Sequence, residues 1–174
     1  MQAFELDVRG WVCADFGCNV GGFTDCLLKN GAARVYAVDT GYGELAWKLR
    51  NDPRVVVMER TNALYADPPW QVDLVVIDVG WTNQMRVIPA AKRWLKRPAD
   101  GGGRIISLLK PHYEQTKLMG SKPTKPLTLS QAHQVCLEVC RRLAGAGWPA
   151  SAVMPSPVEG KGGNMEFLLL LEGR

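Results

Sequence analysis

Residues 11–22 read Trp11-Val-Cys-Ala-Asp15-Phe-Gly17-Cys-Asn-Val-Gly21-Gly22. A short apolar run ends at an acid and is followed by a glycine-rich turn, which is typical of the first strand and loop of an open α/β sheet. Residues 22–30 then show helical spacing, and Asn30-Gly31 is a common helix stop. The stretch therefore predicts a strand, a ligand-binding turn and a helix, in that order.

The remainder of the chain continues this alternation. Short β-rich runs occur at 34–39, 54–58, 72–78 and 104–110, and helical patterns occur at 44–51, 84–96 and 128–144, with Thr128 or Ser130 as the cap of the last. Such alternation indicates βαβ units and a mainly parallel sheet. Two terminal runs, 150–154 and 164–171, have too few residues between them for a helical crossover, so we expect them to pair antiparallel. The prediction is a Rossmann-like α/β fold, with a mainly parallel seven-stranded sheet, helices on both faces and a terminal antiparallel strand.

Composition limits the class of protein. The chain has 174 residues, 47% hydrophobic and 22% charged, which fits one globular domain over residues 1–174. It has neither a membrane-length apolar run nor a secretory signal pattern, so we expect a cytoplasmic protein and no membrane-lytic activity. The five cysteines lack paired spacing and a nearby His, which favours free thiols over a metal site.

Basic residues are concentrated in two places. One cluster is Lys92, Arg93, Lys96 and Arg97, and a second string is Lys110, Lys117, Lys122 and Lys125. The net charge of +4 permits a polyanionic partner without requiring one, and either group could equally be a solvated face. Residues 119–128 are polar and proline-rich, so we interpret them as a candidate mobile lid.

The glycine spacing separates two cofactors. Asn19 occupies the place of the second glycine in the G-x-G-x-x-G motif of dinucleotide-binding folds. Asp15, two residues before Gly17, would repel a pyrophosphate but suits the ammonium of a methionine moiety. These features favour S-adenosylmethionine over NAD, and an NAD-dependent oxidoreductase is the weaker alternative. On this hypothesis, the glycines let the backbone come close to the ligand.

Further cofactor contacts are expected at the ends of later strands. Asp39 ends the second strand, where an acid can accept hydrogen bonds from ribose hydroxyls. Asn62 follows the third strand and either meets the adenine or only forms a turn. The predicted cofactor residues are Asp15, Gly17, Gly21, Gly22, Phe23, Asp39, Asn62 and Asp78.

The longer motifs resemble those of a known family. They are the runs at 15–28, 35–50, 52–62, 75–79, 109–114 and 163–167, which extend over nearly the whole chain. The sequence resembles the TlyA (hemolysin A-like) group of FtsJ-like ribosomal RNA 2′-O-methyltransferases. The resemblance implies a class I methyltransferase fold, S-adenosylmethionine as cofactor and ribosomal RNA or a ribosomal subunit as partner.

The resemblance also implies catalytic residues. FtsJ-like enzymes have a Lys-Asp-Lys-Glu set, of which Asp78, Lys110 and Glu166 correspond to the last three. The first lysine would precede strand one, but the fourteen residues before Asp15 contain no lysine. The N-terminal S4-type RNA-binding domain of the family also has no counterpart, and Gly80-Trp81 stands where Ser-Phe is expected. The alternative is therefore a cofactor-binding but catalytically incomplete domain that acts through a partner or a missing N-terminal segment.

Strand directions support the same three residues independently. Asp78 and Lys110 end parallel strands and Glu166 begins an antiparallel one, so all three are expected at one edge of the sheet. There, Lys110 either accepts the proton of a ribose hydroxyl or, held charged by the carboxylates, steers it. The alternative is a structural ion-pair network. Trp81 is placed to stack on a base, whereas His112 and Glu114 are weaker candidates for substrate contact.

Overall fold

The computed structural model describes residues 4–119, 126–158, 160 and 162–173, without the side chains of residues 117–119. The candidate lid therefore lies largely outside the described residues, as do Lys122 and Lys125 of the second basic string. Within the part of the chain that is described, no helix is long and apolar enough to cross a membrane.

A single seven-stranded sheet organises the molecule. Its strands are β1 (Val12–Phe16), β2 (Arg34–Val38), β3 (Val55–Met58), β4 (Leu74–Ile77), β5 (Arg104–Leu109), β6 (Ala150–Pro155) and β7 (Phe167–Glu172). They are arranged in the order β3-β2-β1-β4-β5-β7-β6. All neighbours are parallel except β7, which runs antiparallel to β5 and β6. The predicted sheet, with its antiparallel final strand, is confirmed.

Helices cover both faces of this sheet. They are α1 (Gly22–Lys29), α2 (Trp47–Arg50), α3 (Gln84–Lys92), α4 (Pro111–Met119) and α5 (Leu129–Gly145). Helices α1 and α2 pack on one face, whereas α3 and α5 pack on the other. On the α3 side, Trp94 is fully buried, with its ring 5.1 Å from that of Phe16.

Three helices differ from the sequence prediction. Helix α2 is shorter than residues 44–51, because Ala46 is extended and its N–H donates to the Val20 carbonyl. Helix α3 ends at Lys92 rather than at residue 96, because the chain bends back and the Lys96 N–H donates to the Val72 carbonyl. Helix α4 was not predicted at all. Helix α5 begins with a capping box between Thr128 and Gln131, which confirms Thr128 as its cap.

Candidate active site

The loop between β1 and α1 is held by a carboxylate from the next strand. Asp39, directly after β2, accepts the Asn19 N–H through Oδ2 and the Gly41 N–H through Oδ1, each at 2.8 Å. Asn19 adopts a left-handed conformation (φ 45°), which asparagine tolerates better than most residues. A carboxylate accepts about four hydrogen bonds, so Asp39 retains capacity for a ligand's hydroxyl groups.

The loop glycines are required for reasons that the sequence did not reveal. Gly17 has φ 80°, and a Cβ there would collide with the carbonyl oxygen of Asp78. Gly21 has φ 102°, and a Cβ there would collide with Leu49. At both positions the close approach is to the protein's own atoms. Only Gly22 among the three faces open space, with nothing within 4 Å of a Cβ built on it.

Asp15 lies beneath this loop and not on its surface. It is 1% exposed, and its Oδ2 accepts a 2.6 Å hydrogen bond from the Thr24 hydroxyl on α1. Among the described residues, its buried Oδ1 has no hydrogen-bond partner. Burial raises the pKa of Asp15 to about 7; the Thr24 hydrogen bonds oppose the shift, while the negative charges of Asp78 and Asp39 add to it. Three neighbouring carboxylates therefore make this edge favourable for a cation-bearing ligand.

The structure brings Asp78, Lys110 and Glu166 together at the same edge. The Lys110 ammonium forms an ion pair with Asp78 Oδ1, and both side chains are mostly buried. Strand pairing aligns Leu109 with Phe167, which places Lys110 across from Glu166. Glu166 is 7% exposed, and burial raises its pKa; the positive charge of Lys110 lowers the pKa and Asp78 raises it. The expected convergence of the trio is therefore present in the fold.

A glycine in the loop before β7 makes room for Glu166. A Cβ at Gly160 would collide with Glu166 Oε1. The same loop is joined to β7 by the Ser156 N–H, which donates to the Glu166 carbonyl at 2.8 Å. Sequence reasoning missed Gly160, because only the fold brings it against a carboxylate six residues away.

The loop after β4 presents two aromatic rings beside the trio. The Tyr113 ring lies against Gly80, 3.2 Å from a Cβ built there. Tyr113 is 39% exposed and Trp81 is 42% exposed. Trp81 is thus accessible for the stacking predicted from sequence, whereas the neighbouring Tyr113 was not predicted.

Buried polar contacts connect this loop to the end of β5. The Glu114 carboxylate is 4% exposed and accepts the Gln84 N–H, the first of α3, at 2.8 Å. The Gln84 side chain accepts a 2.6 Å hydrogen bond from the Ser107 hydroxyl. Glu114 is therefore a support of α3, not the substrate contact considered from sequence.

Other predicted residues have local roles. Asn62 Oδ1 accepts the Leu64 N–H at 3.0 Å, which is the turn function that the sequence left open. Phe23 is partly buried against the hydrophobic core on the α1 face. The Nδ1 atom of His133 lies 2.8 Å from the Leu129 carbonyl, and its ring packs edge-on against Phe167.

The fold and this edge define a methyltransferase-fold protein. An S-adenosylmethionine-dependent methyltransferase from Mesorhizobium loti, only 14% identical, has the same fold with a TM-score of 0.63, over 98% of this chain and 94% of that one. A candidate hemolysin from Lactococcus lactis is 32% identical with a TM-score of 0.88, over 99% of this chain and 83% of that one.

Sequence comparison narrows the class to a family. Residues 1–172 match the FtsJ-like methyltransferase family. The chain is also 43% identical over 175 residues to the 16S/23S rRNA (cytidine-2′-O)-methyltransferase TlyA of Mycobacterium tuberculosis, covering 98% of this chain and 63% of that protein. The chain belongs to the FtsJ-like methyltransferase family. It spans less than two thirds of the length of this relative.

Proposed function

We propose that this protein transfers a methyl group from S-adenosylmethionine to a ribose 2′-hydroxyl of ribosomal RNA. The observation that carries the proposal is the Lys110–Asp78 ion pair with Glu166 across from it. This trio lies at the sheet edge that also holds Asp39 and the glycine loop. The named activity of the mycobacterial relative supports the same reaction.

The residues around the loop fit S-adenosylmethionine. When bound, this cofactor supplies an electrophilic methyl group on a sulfonium centre. Asp39 retains lone pairs for ribose hydroxyls, and the negative charge around Asp15 favours the ammonium and sulfonium charges. Gly22 leaves space beside the loop, and Phe23 borders it with an apolar ring. Gly17 and Gly21 act by shaping the loop, and Asn62 by fixing the turn after β3.

Lys110 is the proposed centre of the chemistry. A ribose hydroxyl is a weak nucleophile near neutral pH, so its developing negative charge needs a cation or a base at hydrogen-bonding distance. The ion pair with Asp78 holds the Lys110 ammonium in one place, and Glu166 adds a second carboxylate beside it. In this arrangement Lys110 orients the hydroxyl and stabilises the oxyanion, while Asp78 and Glu166 orient Lys110.

The exposed rings beside the trio suit an RNA substrate. Trp81 offers a face on which the base of the target nucleotide can stack, next to its ribose at Lys110. Ribosomal RNA, free or within a ribosomal subunit, is the proposed partner, and the cytoplasm is the corresponding compartment.

A transfer assay tests the proposal. The chain is incubated with ribosomal RNA and tritiated S-adenosylmethionine, and label in the RNA is counted. We expect incorporation with the wild type and its loss, by at least about 100-fold, in Lys110→Ala. Lys48→Ala is the matched control, because Lys48 is also ion-paired with an aspartate, Asp25, but lies on α2. Intact cofactor binding without transfer to any RNA would contradict the proposal.

A further inference from the structure

A basic groove lies at the opposite edge of the sheet from the candidate active site. It encloses about 350 Å³ and is bordered by the end of α3, the turn after it and the residue pair before β6. Its lining includes Lys92, Arg93, Lys96, Arg97, Pro98 and Trp148. β5 has six residues, so the two edges are separated by roughly 20 Å.

The charge of this basic groove is not evenly neutralised. Lys96 pairs with Asp73 at 2.6 Å, and Arg97 pairs with Asp100 at 2.9 Å. Lys92 and Arg93 are exposed and have no carboxylate partner within the described part of the chain. These two cations therefore carry the uncompensated charge of the groove.

Both uncompensated cations are held in position by uncharged groups. The Arg93 guanidinium donates to the Leu64 carbonyl at 2.9 Å, and the Lys92 ammonium lies 4.6 Å from the centre of the Trp148 ring. Such contacts restrict the side chains without removing their charge, which lowers the entropy lost when an anion binds. A solvated face does not need this arrangement.

We propose that the basic groove binds the phosphate backbone of the RNA substrate away from the methylated nucleotide, with Lys92 and Arg93 as the main phosphate contacts. The inference rests on the proposed RNA substrate. Contacts to phosphates supply much of the affinity of proteins for nucleic acids, and they need not adjoin the reacting nucleotide. The lining offers cations and an aromatic wall but no carboxylate except those already paired, which matches a polyanion.

Salt dependence of RNA binding tests the proposal. A 23S ribosomal RNA transcript is titrated with the 174-residue protein at several concentrations between roughly 50 and 200 mM salt. Lys92→Gln combined with Arg93→Gln should reduce the slope of log affinity against log salt by roughly 2, which corresponds to two lost phosphate contacts. The matched control, Lys29→Gln combined with Lys48→Gln, removes the same charge from the opposite face and should keep the wild-type slope.

Two further variants separate charge from folding and from catalysis. Arg93→Lys retains the charge and should keep the slope, and Lys92→Gln alone should reduce it by roughly 1. Lys110→Ala should lose methyl transfer while keeping the RNA-binding slope, so a failure of the proposed reaction is distinguishable from a failure of the groove. Equal slopes for the groove double variant and its control, or a wild type that does not bind the transcript, would overturn the inference.

Discussion

Gly22 differs from the other two loop glycines in what surrounds it. Side chains at Gly17 and Gly21 would meet Asp78 and Leu49, so these positions exclude larger residues even without a ligand. Gly22 begins α1 and faces open space. Its small size is therefore unexplained by the protein alone, and a bound cofactor would explain it.

Substitutions at these glycines should separate folding from binding. Gly22→Ala should leave the free energy of unfolding nearly unchanged and weaken S-adenosylmethionine binding by about tenfold or more, if the methyl group enters the cofactor space. Gly17→Ala should destabilise the fold by about 1–3 kcal/mol, because it combines a left-handed conformation with a backbone collision. Chemical unfolding and calorimetry measure the two effects. Unchanged cofactor affinity in a folded Gly22→Ala protein would remove Gly22 from the cofactor site.

Asp15 should make cofactor binding depend on pH. Its pKa is raised by burial from an ordinary 3.8 to about 7. The ionised carboxylate attracts the cofactor's ammonium, so the affinity should rise about fivefold between pH 6 and pH 7 as the ionised fraction grows from about 0.1 to 0.5. Calorimetric titration at several pH values measures this rise. Asp15→Asn should flatten it, and an equally steep rise in that variant would contradict the role.

The same group has an opposite effect on stability. Because the pKa of Asp15 is higher in the folded state, the folded protein binds more protons than the unfolded chain between about pH 4 and pH 7. Its contribution to stability therefore falls as the pH rises through that window. Thr24→Val removes a hydrogen bond that lowers the pKa of Asp15, so the cofactor-affinity profile should shift to higher pH. An unshifted profile would show that another group controls it.

At the scale of elements, α4 supports the start of α3. The first N–H groups of a helix lack intrahelical acceptors, and the Glu114 carboxylate supplies one for Gln84. A negative charge at a helix N-terminus is also favoured by the helix dipole. The contact therefore fixes the short loop that carries Gly80 and Trp81.

Replacing Glu114 should disturb this loop. Glu114→Leu leaves the buried Gln84 N–H unsatisfied and should cost about 1–3 kcal/mol of stability, whereas Glu114→Gln keeps an acceptor and should cost less. Urea unfolding measures the difference. The Leu variant should also raise the KM for RNA more than it changes cofactor affinity, because the displaced loop faces the substrate. Equal stability of the two variants would show that the contact contributes little.

The elements that the sequence failed to predict have identifiable causes. Helix α4 begins at Pro111, directly after Lys110, and proline is common in the first position of a helix. Its polar residues, however, give little apolar periodicity. Helix α2 was predicted too long because the bend at Ala46 depends on a hydrogen bond to Val20 in a different loop. Local patterns report neither effect well.

At the scale of the molecule, strand order and direction were predictable from periodicity and loop length. Residues 155–163 are too short for a crossover, which required an antiparallel pair and brought Glu166 to the edge of Lys110. What could not be predicted are contacts between distant segments, such as Gly17 against Asp78 and Gly160 against Glu166. The sequence thus identified the location of the site more completely than the packing that supports it.

The most direct test of the account is the chemical position of the transferred methyl group. Ribosomal RNA methylated by the chain is digested to nucleosides and analysed by mass spectrometry. The account predicts a nucleoside whose extra methyl group is on the ribose 2′-oxygen, present with wild-type protein and absent with Lys110→Ala. A methyl group on a base, or a ribose product that persists in Lys110→Ala, would contradict it.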